Sequence, residues 1–276
     1  MEQVLKTMLE NMRAKSPLVH NITNYVTVND VANVLLAAGG SPIMSDDADD
    51  VEDITSICGG LNINIGTLNK NTIPSMFLAG KKANELGHIV LLDPVGAGAS
   101  RLRTDTANRL MQEVRFDAVR GNISEIKTLC TGSGSTKGVD ADAVDAVTEA
   151  NLDDGVQLVK AFAQKTGCIV AVTGAIDLVS DGERCWCIRN GRAEMSRITG
   201  TGCQLSALMT AFLVANPDRK LDAAAAAVCM MGLAGEIGWA NMQPGDGNST
   251  YRNRIIDAIF NMTGDALEEG AKYELQ

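Results

Sequence analysis

The strongest constraint on how this chain folds is a rhythm. Short apolar segments alternate with longer stretches of helical periodicity, and each short segment runs out into residues suited to binding something. The segments are Ser41-Pro42-Ile43-Met44, Leu61-Asn62-Ile63-Asn64-Ile65, Ile89-Val90-Leu91-Leu92-Asp93, Asp117-Ala118-Val119 and Cys168-Ile169-Val170-Ala171-Val172-Thr173. Strands spaced by helices indicate βα units around a mostly parallel sheet, so the fold class is α/β. Ligands in open sheets of this kind bind beyond the carboxyl ends of the strands. Met44, Gly66, Asp93-Pro94, Arg120-Gly121-Asn122 and Thr173-Gly174 are therefore expected on one rim. Between Asp177 and Arg197 the pattern shortens and alternates, with hairpin signals at Asp181-Gly182 and Asn190-Gly191, which predicts a small antiparallel edge. Three helices are expected afterwards, over Leu205–Val214, Leu221–Asn241 and Ser249–Glu268. The loop-like stretches Gly132–Ser135 and Met242–Asn248 are too short to separate domains, so residues 1–276 read as one domain.

Bulk properties narrow the classes of function. With 276 residues and 45% hydrophobic content, the chain is expected to bury about 75% of its unfolded surface and needs no disulfide or structural metal to fold. A net charge of −10 argues against a nucleic-acid partner, which needs clustered Lys and Arg. It does not argue against a nucleotide, whose phosphates can be met locally by helix N-termini and a cation. The seven cysteines are odd in number and lack Cys-x-x-Cys spacing, which points to free thiols in a reducing compartment. Cys185 and Cys187 should share one strand face in a structural role. Val4, Leu5, Met8, Leu9 and Met12 form an amphipathic helical pattern without the layout of a signal peptide, so a cytoplasmic location is expected. The apolar stretch Leu221–Met231 is far short of the roughly 20 residues that cross a bilayer, and no membrane segment is expected.

The segment richest in chemistry is Ile198-Thr199-Gly200-Thr201-Gly202-Cys203-Gln204-Leu205, a glycine-rich turn running straight into an apolar helix. Glycines let the backbone approach a ligand, and the helix start offers unpaired N–H groups carrying partial positive charge. Such a cradle suits a phosphoryl group in transfer, whose negative charge spreads over its equatorial oxygens. Taken alone, Gly-x-Gly before a helix is more often a plain turn.

Its companions along the chain change that weighting. They are His20-Asn21-Ile22-Thr23-Asn24-Tyr25-Val26, Ser41-Pro42-Ile43-Met44, Asn64-Ile65-Gly66-Thr67-Leu68, Asp93-Pro94-Val95-Gly96-Ala97-Gly98-Ala99, Arg120-Gly121-Asn122-Ile123-Ser124-Glu125-Ile126 and Val172-Thr173-Gly174. In this order, with Gly200–Cys203, the set resembles the hydroxyethylthiazole kinases of the ribokinase-like superfamily, over a span from about Ser16 to Asn241. The resemblance implies a ribokinase-like α/β fold and ATP- and Mg²⁺-dependent phosphorylation of hydroxyethylthiazole in thiamine salvage. It also implies a homotrimer with sites at subunit boundaries. It places Met44 and Gly200 against the substrate, with Gly200 leaving room for the hydroxyethyl arm; Gly66 is expected beside them, and the Asn24 amide either bonds the ring nitrogen or, with Thr27 as the other candidate, caps a helix. Arg120 and Thr173 match nucleotide positions, joined by Asn122. Asn122-x-x-Glu125 matches the pair that organises Mg²⁺ and its waters, and is equally the spacing of a helix capping box; Asp93, directly after the apolar strand Ile89–Leu92, suits a metal-water shell or the organisation of the phosphate site.

Catalysis is expected from Thr201, Gly202 and Cys203, the first two through their backbone and Cys203 as general base, its thiol lowered toward neutrality by the helix N-terminus. Direct transfer needs only the alcohol as nucleophile, which disfavours a phospho-cysteine. Ala175 stands where many relatives carry an acidic residue. Kinases of hydroxymethylpyrimidine or pyridoxal, and an ATP-dependent dehydratase on the same scaffold, share the nucleotide half. A dinucleotide-binding module is disfavoured, because no Gly-x-Gly-x-x-Gly follows the first strand.

Overall fold

A computed structural model describes residues 3–132 and 146–276; of the expected Gly132–Ser135 loop, all but Gly132 lies outside the described residues. The chain begins with α1 (Val4–Lys15), β1 (Leu18–Ile22), α2 (Val28–Ala38), β2 (Ser41–Met44), α3 (Val51–Ile57) and β3 (Gly60–Asn64). It continues through α4 (Thr72–Leu86), β4 (Ile89–Asp93), α5 (Arg101–Glu113), β5 (Ala118–Asn122) and α6 (Ile123–Thr131). Then come α7 (Leu152–Thr166), β6 (Ile169–Thr173), β7 (Asp177–Ser180) and β8 (Cys185–Ile188). The C-terminal part holds α8 (Thr201–Ala215), α9 (Lys220–Ala240), α10 (Asn248–Asn261), α11 (Gly264–Gly270) and β9 (Tyr273–Leu275).

The nine strands make one sheet in the order β2-β1-β3-β4-β5-β6-β7-β8-β9. Pairing from β2 to β6 is parallel, and β7, β8 and β9 add the antiparallel edge, as the ribokinase-like α/β reading requires. Strand residues alternate between two cores, as a period of two dictates. Ile89 and Leu91 pack with the helices α1, α2 and α8–α10, while Val90 and Leu92 pack with α3–α7 on the other face. Cys185 and Cys187 do share one face, in the second core.

Three elements differ from expectation. β1 went unread because His20 and Asn21 interrupt its apolar run; both are buried, and the His20 ring bonds Thr55 Oγ1 and the Ser45 carbonyl, each at 2.9 Å. Asn190-Gly191 does not turn a hairpin: β8 pairs instead with the C-terminal β9, and a 3-10 turn at Ala193–Arg197 follows. The last expected helix is split, because Thr263 Oγ1 accepts the Ala266 N–H and starts α11 afresh. The apolar helical stretch is also longer than its alanine run. Pro217–Ala240 spans 24 residues, enough by length and composition to cross a bilayer, yet 78% of its most apolar window is buried inside the protein. Its alanines let α8 and α9 pack closely beneath the sheet. The same packing fixes where the start of α8 meets the strand ends.

Candidate active site

Parallel register brings the strand ends level. Asn64 lies beside Asp93, and Asn122 beside Thr173. Asp93 is fully buried; its Oδ2 accepts hydrogen bonds from Asn64 Nδ2 at 2.7 Å and from Ser206 Oγ of α8 at 2.8 Å. Its Oδ1 has no hydrogen-bond partner and lies 3.5 Å from Arg120 Nη1. Burial pushes the Asp93 carboxyl up, opposed by Arg120, Ser206 and Asn64. Arg120 Nη2 donates to Thr173 Oγ1, and its buried Nε is unpartnered. The guanidinium is thus anchored through Nη2, paired with Asp93 through Nη1 and unpartnered at Nε.

The start of α8 meets this group. Gly200 is left-handed (φ 85°) and no side chain caps the helix; the first turn closes with Gln204 N–H on the Gly200 carbonyl at 2.9 Å. The N–H groups of Thr201, Gly202 and Cys203 consequently have no intrahelical acceptor. A Cβ on Gly202 would stand 2.4 Å from both terminal nitrogens of Arg120, so glycine is what lets the guanidinium lie against the helix start. At Gly200 the reason differs from the expected room for a hydroxyethyl arm. A Cβ there would meet Thr27 Cγ2 at 2.1 Å, so the space is taken by Thr27.

Cys203 Sγ accepts a hydrogen bond from Asn24 Nδ2 at 3.1 Å, and the same amide reaches Asn64 Oδ1 at 3.2 Å. Asn24 Oδ1 in turn accepts from the Thr27 N–H and hydroxyl, at 3.1 and 3.0 Å. Gly66 N–H also donates to Asn64 Oδ1, at 2.9 Å. The expected lowering of the thiol is reversed: burial, reinforced by the nearby Asp93 charge, pushes Cys203 up to about 11. Desolvation outweighs the helix terminus here.

Glu125 and Asn122 form the capping box that their spacing allowed. Glu125 Oε2 accepts from Asn122 N–H at 2.8 Å, and Oε1 reaches across to Gly96 N–H at 2.7 Å. Burial and the Asp93 charge push Glu125 up to about 7. Among the described residues no group of three His, Cys, Asp or Glu side chains could cage a metal. Glu125, which lines the larger cavity, with the unpartnered Asp93 Oδ1 behind it, is a donor set of the kind Mg²⁺ uses, since that ion keeps several waters and takes only one or two protein carboxylates.

Two adjoining cavities open on this rim. One, of 850 Å³, is lined by Asn24, Gly66, Asn122, Glu125, Gly200 and Cys203 among others; the second, of 560 Å³, lies toward Asp177, Asn190 and Met231. Arg120, Thr173, Gly174, Ser196, Thr201 and Gly202 line both, so the helix start and Arg120 form the shared wall. Met44 lines neither; it is half-buried at the end of β2, the outermost strand of the sheet. Asn64, Thr27 and Arg103 were missed as site residues. The glycine turn before Arg103 was the signal available for that one.

The profile of the hydroxyethylthiazole kinase family matches residues 9–265. The chain belongs to this family. By that membership it is a kinase, and its relatives span its whole length. It is 57% identical to the hydroxyethylthiazole kinase of Clostridium acetobutylicum, over 98% of this chain and 99% of that one. The structure of the hydroxyethylthiazole kinase from Pyrococcus horikoshii superposes with a TM-score of 0.88 at 32% identity, covering 100% of both chains. The pyridoxal kinase of Staphylococcus aureus, in complex with AMP-PCP and pyridoxal, shares the fold alone, with a TM-score of 0.62 at 14% identity over 94% of this chain and 98% of that one.

Proposed function

We propose that the cleft transfers the γ-phosphoryl group of ATP to the hydroxyl of 4-methyl-5-(2-hydroxyethyl)thiazole, giving the thiazole phosphate and ADP for thiamine synthesis. The observation that carries this is the uncapped start of α8, placed against Arg120 in the wall common to both cavities. The nucleotide lies in the smaller cavity, with Thr173 and Arg120 of the shared wall beside its phosphates; Asn122, at the end of β5, lines the larger cavity. The alcohol lies in the larger one, against Asn24, Gly66 and Gly200. The alcohol oxygen attacks Pγ, the bond to the β,γ-bridging oxygen breaks, and ADP departs. The Thr201–Cys203 N–H groups and Arg120 hold the charge that develops on the equatorial oxygens. Mg²⁺, held near Asp93 and Glu125 through water, would neutralise phosphate charge.

Cys203 takes the alcohol proton. Asn24 Nδ2 points its hydrogen at Sγ, which makes the sulfur an acceptor in this arrangement. A thiol that titrates at about 11 is ionised to roughly one part in 10⁴ at pH 7, so the base is scarce but strong. A loose transition state asks little of its base, because the proton leaves late. The enzyme acts as a cytoplasmic homotrimer in which Met44 of one copy completes the thiazole pocket of the next. Supporting this are the outermost place of β2 and the exposed Leu36 and Ile57 on α2 and α3.

The test is a phosphorylation assay with ATP, Mg²⁺ and the thiazole alcohol beside a hydroxymethylpyrimidine and pyridoxal. Transfer to the thiazole with little to the others is expected. ATP consumption without a phosphorylated alcohol, or preference for pyridoxal, would overturn the reading. Sedimentation of the wild type and Met44→Ala tests the assembly: a trimer in both, with a raised KM for the alcohol in the variant, is expected.

A further inference from the structure

Three arginines, 103, 120 and 197, line the 850 Å³ cavity. Arg120 faces the buried Asp93 at 3.5 Å, and Arg197 is an exposed residue on a 3-10 turn. Arg103 is different from both. It is half-buried, and among the described residues no carboxylate lies within ion-pair distance of it.

Its position is nevertheless fixed. Arg103 sits in the first turn of α5, where its backbone N–H is capped by Ser100 Oγ at 3.3 Å. The side chain crosses over Gly96, whose φ is +73°; a Cβ there would stand 2.2 Å from Nη1 and 3.1 Å from Cδ. At its tip, Nη2 donates to the Gly66 carbonyl at 2.7 Å. A guanidinium carries five N–H donors in a rigid fork, and one contact leaves the remainder for another acceptor. Ordering so long a side chain costs rotamer entropy that the single carbonyl contact does little more than offset. A fixed, uncompensated cation facing a cavity calls for an anion.

Position says which anion. Arg120 lines both cavities, whereas Arg103 lines only the larger one and has no share in the nucleotide wall. We infer that Arg103 binds the phosphate of the phosphorylated alcohol, receiving the group on the acceptor side as Arg120 holds it on the donor side. The inference rests on the kinase reading of the cleft and adds a residue specific to product and late transition state.

Titration calorimetry of the wild type, R103Q and R103K with the thiazole phosphate, the unphosphorylated alcohol and ATP tests it, with thermal melting to confirm that each variant folds. R103Q should weaken the thiazole phosphate roughly 10- to 100-fold, as expected for a lost charge-assisted bond, while leaving the alcohol and ATP within about twofold. R103K, which keeps the charge and a donor for Gly66, should recover part of that loss. Equal weakening of alcohol and phosphate in R103Q would mean that Arg103 only shapes the Gly66 turn, and an equal loss for ATP would move the anion to the nucleotide; either overturns the inference. A wild type that phosphorylates no alcohol would sink the function instead. In that event the same titrations with inorganic phosphate decide on Arg103 separately, and affinities equal within about twofold for wild type and R103Q would overturn its anion role.

Discussion

The two halves of the cleft are built differently. Around Cys203 the wall is a closed set of buried side chains: Asn24, Asn64, Asp93 and Ser206 are each under 5% exposed and bonded to one another or to the thiol. Toward the nucleotide part of the wall comes from loops and the 3-10 turn, at Gly174, Ala175, Arg192 and Ser196, and α8 and α9 complete it with Leu205, Val228 and Met231. Buried, mutually bonded polar groups hold donors within tenths of an ångström, which suits a reacting centre, and they are costly when one member is lost. An open loop wall tolerates change and sets affinity more than chemistry.

The harshest way to break this contrast is Asp93→Ala. It leaves Arg120 without its buried counter-charge and Asn64 Nδ2 without its acceptor, while Ser206 keeps only the Gly202 carbonyl, so a stability loss of about 3 kcal/mol is expected in urea unfolding, together with lost turnover. A loss below about 1 kcal/mol would show that the network is not the rigid frame described above.

Cys203 sharpens the same contrast kinetically. Cys203→Ala should lower kcat by about 10²- to 10³-fold while ATP affinity stays within about twofold, and Cys203→Asp should keep activity. Because burial raises the thiol to about 11, the base form grows as pH rises, so wild-type kcat should climb close to tenfold per pH unit from 7 toward 10. In Cys203→Asp that climb should vanish. A flat wild-type profile over this range would exclude thiolate as the base.

On the other side, Thr173→Val removes the hydroxyl that anchors Arg120 Nη2 in the shared wall. Roughly a three- to tenfold rise in the KM for ATP is expected, with the KM for the alcohol unchanged. An equal effect on both substrates would mean that the halves are not separable.

Most of the parallel half of the sheet was readable because strands such as β4 and β6 are apolar on both faces, and β2 and β4 fall where the sequence places them. The rim followed from topology, so Gly66, Arg120, Asn122 and Thr173 do meet in one cavity. What was hidden depends on partners distant in sequence. The polar His20 and Asn21 make sense in a strand only once Thr55 and Ser45 are beside them, and β9 is three residues with no pattern until β8 supplies its pairing. The thiol shift was misjudged for the same reason. The helix start is local and visible, whereas the burial and the Asp93 charge that outweigh it come from tertiary packing. The missing side chain of Gly200 was credited to room for the hydroxyethyl arm because nothing in the sequence announces Thr27 as its neighbour.

The mildest probe lies where the loop wall touches the C-terminal strand. Glu236 Oε1 accepts from Gly191 N–H at 2.9 Å and Asn190 Nδ2 at 3.3 Å, and its Oε2 pairs with Lys272 Nζ at 2.8 Å. Asn190 Oδ1 also accepts the Lys272 N–H at 2.7 Å, so one carboxylate ties the Asn190–Gly191 lip of the nucleotide cavity to the entry of β9. Glu236→Gln keeps an acceptor for Gly191 and removes the pairing with Lys272. The Lys272 side chain is 58% exposed, so the pair is screened by solvent and adds little to stability. The KM for ATP should rise about two- to threefold with kcat unchanged, as a small loosening of a backbone wall predicts. A fall in kcat would instead place this lip within the rigid, reacting half, and the boundary between the halves would have to move from Arg120 to the edge of the sheet.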